Sequence, residues 1–346
     1  MSLLDEWDRC FGFRDLATIS VSLYAACNGS QKADNQNSPR ISIGKENSFT
    51  KGERMKVATI SIAGERRVGQ ITEDGTSLLP FDLPVVEAQD GILALIRRNG
   101  WGLPLTLSPV PLNQVTMEAP IPLPRRNIFC VGKNYHDHAH EFARSGFDSS
   151  SAKGAVPSSP IIFSKVPETV VPSGSPIFID PKVSPSVDYE AELAVIIGKG
   201  GRGITARDAL DHVWGYTIVN DVTARDLQAR YSQWLIGKSQ DTFCPMGPAA
   251  VTREEIDITN TPISCYINGE LRQSSNTGLL IFDIPTIIET LSAGITLQPG
   301  DVIATGTPAG VGIGYDPPKY LKAGDVIRIE IGGIGVLQNE VVERSS

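Results

Sequence analysis

The sequence predicts a β-dominated α+β fold, and three observations carry that reading. From Asn127 onward, short runs rich in β-branched and aromatic residues (NIFCVG, PIIFSK, ELAVIIG, WGYTIVND, DVIATG, DVIRIEI) recur between Gly/Pro turns. Helical patterns are few, chiefly around 206–212, 223–234 and 283–293. Strands therefore do not alternate with long helices, as they would in a doubly wound parallel sheet.

Along the chain, residues 28–54 are polar and rich in Asn, Ser, Lys and Gly, too poor in apolar groups to offset the entropy of ordering. Residues 1–54 thus read as a disordered extension or the product of a start assigned upstream of Met55. The apolar LATISVSLYAAC at 16–27 is short and follows Asp5, Glu6, Asp8 and Asp15, whereas a secretory leader begins basic. Met55 opens MKVATISIAGERRVGQITEDG, whose alternation and turns predict a small β-meander. DGILALIRRNG at 90–100 predicts a short helix stopped by glycine, and the proline-punctuated 104–124 a linker. A small β-rich N-terminal domain with its linker would then occupy 55–120, and the main domain 121–346. Two later strands share one entry turn, QPGDVI at 298–303 and KAGDVI at 322–327.

Lys and Arg number 31 against 39 Asp and Glu, a net charge of −8. No basic surplus exists to neutralise phosphates, which argues against nucleic acid or an anionic membrane as partner. The five cysteines are scattered, odd in number and without CxxC spacing, the usage of a reduced cytoplasmic protein. No apolar run approaches the roughly 20 residues of a membrane span.

The stretch VDYEAELAVIIG at 187–198 has a strand's apolar bias. Period two puts Glu190, Glu192, Ala194 and Ile196 on one face and Ala191, Leu193, Val195 and Ile197 on the other. Two adjacent carboxylates on an apolar strand repel each other and resist burial, so they need a cation, a basic partner or water. The alternative is an edge strand with both glutamates in solvent. Downstream, GYTIVNDVTARDLQ ends a strand at Asn220 and Asp221 and starts a helix with Thr223 as N-cap and Asp226 three residues on. Arg225 and Gln228 are three apart on that helix and share a face. Three carboxylates without a thiolate suit a hard cation such as Mg²⁺ or Mn²⁺.

NYHDHAHE at 134–141 holds three of the four histidines. His136 and His140 are four apart, as in zinc helices, but no glutamate directly follows His136. They read as solvent-facing polar residues, and His212 in ALDHVWGY as a structural residue near a helix end.

Six motifs in order, CVGKNYHDHAHE, PIIFSK, DYEAELAVIIGK, GYTIVNDVTARDLQ, GKSQDTFCPMGP and DVIATGTPAGVG, resemble the fumarylacetoacetate hydrolase family over about 120–340. The resemblance implies a mixed β-roll catalytic domain, a homodimer, and Mg²⁺ or Mn²⁺ held by Glu190, Glu192 and Asp221. It implies that Arg225, Gln228, Lys238 and Thr307 hold the carboxylate and keto oxygens of a small keto acid. The segment N-Y-x-x-H-x-x-E closes over the site in the family, which makes His138 and Glu141 a water-activating dyad. The implied reaction is hydrolysis of a C–C bond in an acylpyruvate or related β-diketo acid through an enolate at the metal, Lys238 supporting the developing charge. Oxaloacetate decarboxylation, and hydration or isomerisation of 2-oxo-hept-ene-dioates, use the same enolate and are the alternatives. The Ser/Gly-rich loop 145–160 is expected to contribute to substrate choice.

Overall fold

The structure, a computed structural model, describes residues 54–98, 105, 108–148 and 156–344. Expectations for residues 1–53, and for the centre of the 145–160 loop, lie outside these residues.

The expected meander forms from Lys56–Ile62, Glu65–Ile71 and Ser77–Pro80, paired antiparallel in sequence order. It continues into the rest of the molecule, because Val57 pairs with Ala250 of the strand Cys244–Thr252. Beyond that strand the sheet runs through Val213–Asn220, Ala191–Ile197, Val302–Ala304, Ile128–Gly132 and Ile161–Lys165, and has twelve strands in all. Part of the predicted linker also joins it, Thr116–Met117 pairing with Lys56–Ile62. A second sheet of five strands is built mainly from Pro262–Ile267, Glu270–Asn276, Val326–Ile331 and Gly335–Glu343.

Period two accounts for how Ala191–Ile197 organises the interior. All seven residues are buried, and the two faces enter different cores. Ala191, Leu193, Val195 and Ile197 pack with Ile263, Ile327, Ile329 and other residues of the five-stranded sheet. Ala194 and Ile196 face Leu93, Leu95 and Ile96 of the short helix Leu93–Arg97. Each fully buried aliphatic side chain contributes about 1.5–3 kcal/mol, so a register slip is strongly disfavoured. The edge-strand alternative for the E-x-E segment does not hold: Val213–Asn220 flanks it on one side and Val302–Ala304 on the other. Both shared entry turns put glycine, Gly300 and Gly324, at φ 88°, a left-handed conformation that disfavours other residues.

The helices depart from expectation where polar side chains find other work. Ile284–Ser292 forms as predicted, with Asp283 capping it through Thr286 N–H at 2.9 Å. The 223–234 helix is shorter, Arg225–Arg230, followed by a separate turn at Leu235–Lys238. Thr223 is not its N-cap; Thr223–Ala224 pairs as a strand with Val187–Asp188, and Asp226 accepts a hydrogen bond from Ser184. Around 206–212 only a 3₁₀ turn forms, Ala209–His212.

Candidate active site

The carboxylates of Glu190, Glu192 and Asp221 converge within 4.8 Å of one another, all buried. Main-chain pairing brings them there. Asp221 N–H donates to Glu190 O at 2.9 Å, and Glu190 N–H to Asn220 Oδ1 at 3.0 Å, joining the start of one strand to the end of its neighbour. Glu192 accepts the N–H of Gly306 at 2.8 Å. Gly306 has φ 106°, and a Cβ there would lie 2.7 Å from Asn134 Cβ, so only glycine brings this N–H so close.

Three buried cations surround the cluster. Lys238 Nζ lies 2.7 Å from Glu190 and 2.8 Å from Asp221. Lys165 Nζ reaches the other Asp221 oxygen at 2.7 Å and donates to Val222 O at 3.0 Å. Arg225 bridges Glu190 at 2.8 Å and Asp188 at 2.9 Å, and donates to Gln228 Oε1 at 3.2 Å. Asp188 in turn accepts the N–H groups of Tyr189, Gly312 and Ile313 at 2.9, 2.7 and 3.0 Å.

These contacts divide the protonation of the glutamates. Burial alone would raise Glu190, but Lys238 and Arg225 outweigh it and hold its carboxyl near about 2. Burial pushes Glu192 well above the ordinary carboxylate range, and the like charges of Asp221 and Glu190 push it further. Burial would lower Lys238, yet Asp221 and Glu190 raise it. Among the described residues Glu192 receives one N–H and no salt bridge, a buried acceptor set short of positive charge. Three carboxylates so placed fit a hard divalent cation, which would compete with the Lys238 ammonium for Glu190 and Asp221. The nearby thiols offer no alternative chemistry, since burial raises Cys130 strongly and Cys244 to about 12.

The helix His136–Arg144 contributes His138 and Phe142 to the wall of the cleft beside the cluster. Asn134, just before it, donates to Phe282 O and Thr305 O at 3.0 and 2.8 Å and accepts from Phe282 N–H at 2.8 Å. One turn apart, His138 Nδ1 and Glu141 Oε2 are 3.2 Å apart, and Glu141 accepts Gly310 N–H at 3.0 Å. The carboxylate can thus orient the ring. His136 and His140 are exposed. His212 Nδ1 contacts Lys199 O at 2.7 Å, a structural role.

Seven of the nine predicted residues, His138, Glu190, Glu192, Arg225, Gln228, Lys238 and Thr307, line one cleft walled by Phe142, Phe163 and Trp234. Asp221 and Glu141 stand one contact behind, through the cluster and through His138. Gln273 fixes Thr307, donating to its hydroxyl at 2.7 Å. Sequence reasoning missed Lys165, Asp188, Gln273 and Lys133, the last also in the cleft wall. A signal existed for two of them: Lys165 ends an apolar strand, and period two puts Asp188 in line with Glu190 and Glu192.

A β-rich fold that buries three carboxylates beside a His–Glu pair and three cations defines an enzyme site. The chain belongs to the fumarylacetoacetate hydrolase family: residues 127–342 match the family domain described as "Fumarylacetoacetate (FAA) hydrolase C-terminal". Over 231 residues, 66% of this chain and 74% of the relative, it is 50% identical to the oxaloacetate tautomerase YisK of Bacillus subtilis (strain 168). The human mitochondrial oxaloacetate tautomerase FAHD2A is 43% identical over 260 residues, 74% of this chain and 78% of the relative. Among solved structures, a fumarylacetoacetate hydrolase from psychrophilic Exiguobacterium antarcticum is similar with TM-score 0.71 and 42% identity, covering 84% of this chain and all (100%) of that one. A 2-hydroxyhepta-2,4-diene-1,7-dioate isomerase from Mycobacterium marinum is similar with TM-score 0.67 and 32% identity over 84% of this chain and 100% of that one. Among the described residues, no helix is long and apolar enough to cross a membrane.

Proposed function

We propose that the protein interconverts the enol and keto forms of oxaloacetate or a closely related 2-keto dicarboxylate. The likeness to relatives named for oxaloacetate tautomerisation carries this reading over the hydrolysis expected from the motifs alone. Ketonisation moves one proton off the 2-hydroxyl and one onto C3; no C–C bond breaks and no water is consumed.

The residues of the cleft supply what that exchange needs. Arg225, Gln228 and Thr307 bind and orient the 1-carboxylate. Lys238, a buried ammonium, faces the 2-oxygen and can hold or return its proton. His138, oriented by Glu141, moves the proton at C3. The aromatic walls exclude bulk water and keep the exchange within these groups. Mg²⁺ or Mn²⁺ held by Glu190, Glu192 and Asp221 would polarise the 2-keto oxygen and acidify C3. A homodimer in a reducing, cytoplasm-like compartment belongs to the same proposal, and sedimentation equilibrium tests the dimer.

Acylpyruvate hydrolysis stands as the second reading because the His138–Glu141 pair has the geometry to activate water. One experiment separates the two. With Mg²⁺ present, loss of the ultraviolet absorbance of enol-oxaloacetate is followed beside pyruvate release from acetylpyruvate. Faster enol loss without pyruvate, slowed in His138→Ala, supports tautomerisation; cleavage of acetylpyruvate moves the assignment to hydrolase, and pyruvate from oxaloacetate moves it to decarboxylase.

A further inference from the structure

Four non-glycine residues among those described have positive φ: Ala63, Lys133, Thr242 and Asn268. Three are exposed or half-buried, but Lys133, at φ 55°, is only 2% exposed. A left-handed lysine is strained, and such strain concentrates where a side chain must be aimed. Here that residue belongs to the wall of the cleft, which it shares with His138, Phe142 and Thr307.

Charge distinguishes Lys133 from the other cations. Lys165, Arg225 and Lys238 engage the carboxylate cluster. Lys133 Nζ instead meets Asp148 Oδ2 at 2.9 Å, both side chains largely buried (1% and 7% exposed), and lies 5.9 Å above the Phe142 ring centre. Asp148 follows the helix that carries His138 and Glu141. A buried ion pair is weak as a stability device, because apolar residues of similar volume commonly serve as well. As a recognition device it does more: the protein's own carboxylate satisfies the ammonium until another carboxylate takes its place.

We propose that Lys133 binds the distal carboxylate of a dicarboxylic keto acid whose keto-acid end lies at the Glu190–Glu192–Asp221 cluster, and that Asp148 is the internal carboxylate it exchanges. This rests on the keto-acid reading of the cleft and adds the feature that selects a diacid over a monoacid. Lys133 is thus a specificity residue, with no part in moving protons.

The test uses malate and lactate, 2-hydroxy acids that differ in the distal carboxylate, titrated calorimetrically into the full chain with Mg²⁺. Wild type should prefer malate by about tenfold or more, the worth of one charge-assisted hydrogen bond. Lys133→Met should bring the two within about twofold by removing that bond, and Lys133→Arg should keep much of the preference. Asp148→Asn, which leaves Lys133 in place, should tighten malate about threefold or more with lactate unchanged, because a competing charge is gone. No malate preference in wild type, an unchanged ratio in Lys133→Met, or unchanged or weaker malate binding in Asp148→Asn overturns the proposal. Enol-oxaloacetate turnover is read separately: its absence with a Lys133-dependent malate preference intact retires the tautomerase reading alone.

Discussion

Glu192→Gln should stabilise the metal-free protein while weakening its hold on a divalent cation. The Glu192 carboxylate lies within 4.8 Å of those of Glu190 and Asp221. At that separation and an effective dielectric of about 20, each like-charged pair costs roughly 3 kcal/mol. The attraction of the nearby Lys238 ammonium for Glu192 offsets part of this, and we expect a net gain of about 1–3 kcal/mol from the amide. The substituted side chain retains an oxygen to accept the Gly306 N–H. The sign with pH follows from the raised Glu192 carboxyl. A group that binds its proton more tightly when folded supports folding at and below its ordinary value of 4.5, and that support is lost as the pH rises toward the folded-state value. Wild type and variant should therefore be close at pH 4.5, with the variant gaining its advantage as the pH is raised to 8. Urea unfolding in EDTA across that range measures it. A variant less stable than wild type at pH 8, or a difference that does not grow with pH, would refute the like-charge account of the cluster.

Other outcomes follow from the same contacts. Because burial and its like-charged neighbours favour the protonated form of Glu192 and a bound cation favours the carboxylate, Mg²⁺ binding should release protons, up to about one per site, read by calorimetry in buffers of different ionisation enthalpy. A Cβ on Gly314 would meet Glu141 Oε1 at 1.8 Å, so Gly314→Ala should displace the partner of His138 and lower kcat about 10²-fold with Mg²⁺ affinity unchanged by titration. Asp188→Asn leaves buried Arg225 one charge short and puts an amide among three N–H donors; we expect a loss of about 3 kcal/mol in urea unfolding and weaker substrate binding.

The sequence by itself determined the β-dominated class, the two faces of Ala191–Ile197 and the His138–Glu141 spacing, because each follows from backbone periodicity over a few residues. Its ordered motifs also pointed to the family. It did not decide the reaction: a buried carboxylate cluster with a His–Glu pair suits hydrolysis, decarboxylation or tautomerisation alike. Helix lengths failed where side chains were recruited elsewhere, as when Thr223 joined a strand and Asp226 turned to Ser184. Tertiary structure alone brought Lys165 to Asp221 across 56 positions, and the Gly306 N–H to Glu192 across 114. It also put a strained lysine, Lys133, in the cleft wall against Asp148. The physical reason is that local pattern sets which face a residue occupies, whereas the partner of a buried charge is chosen by whichever distant strand or loop the packed core delivers to it.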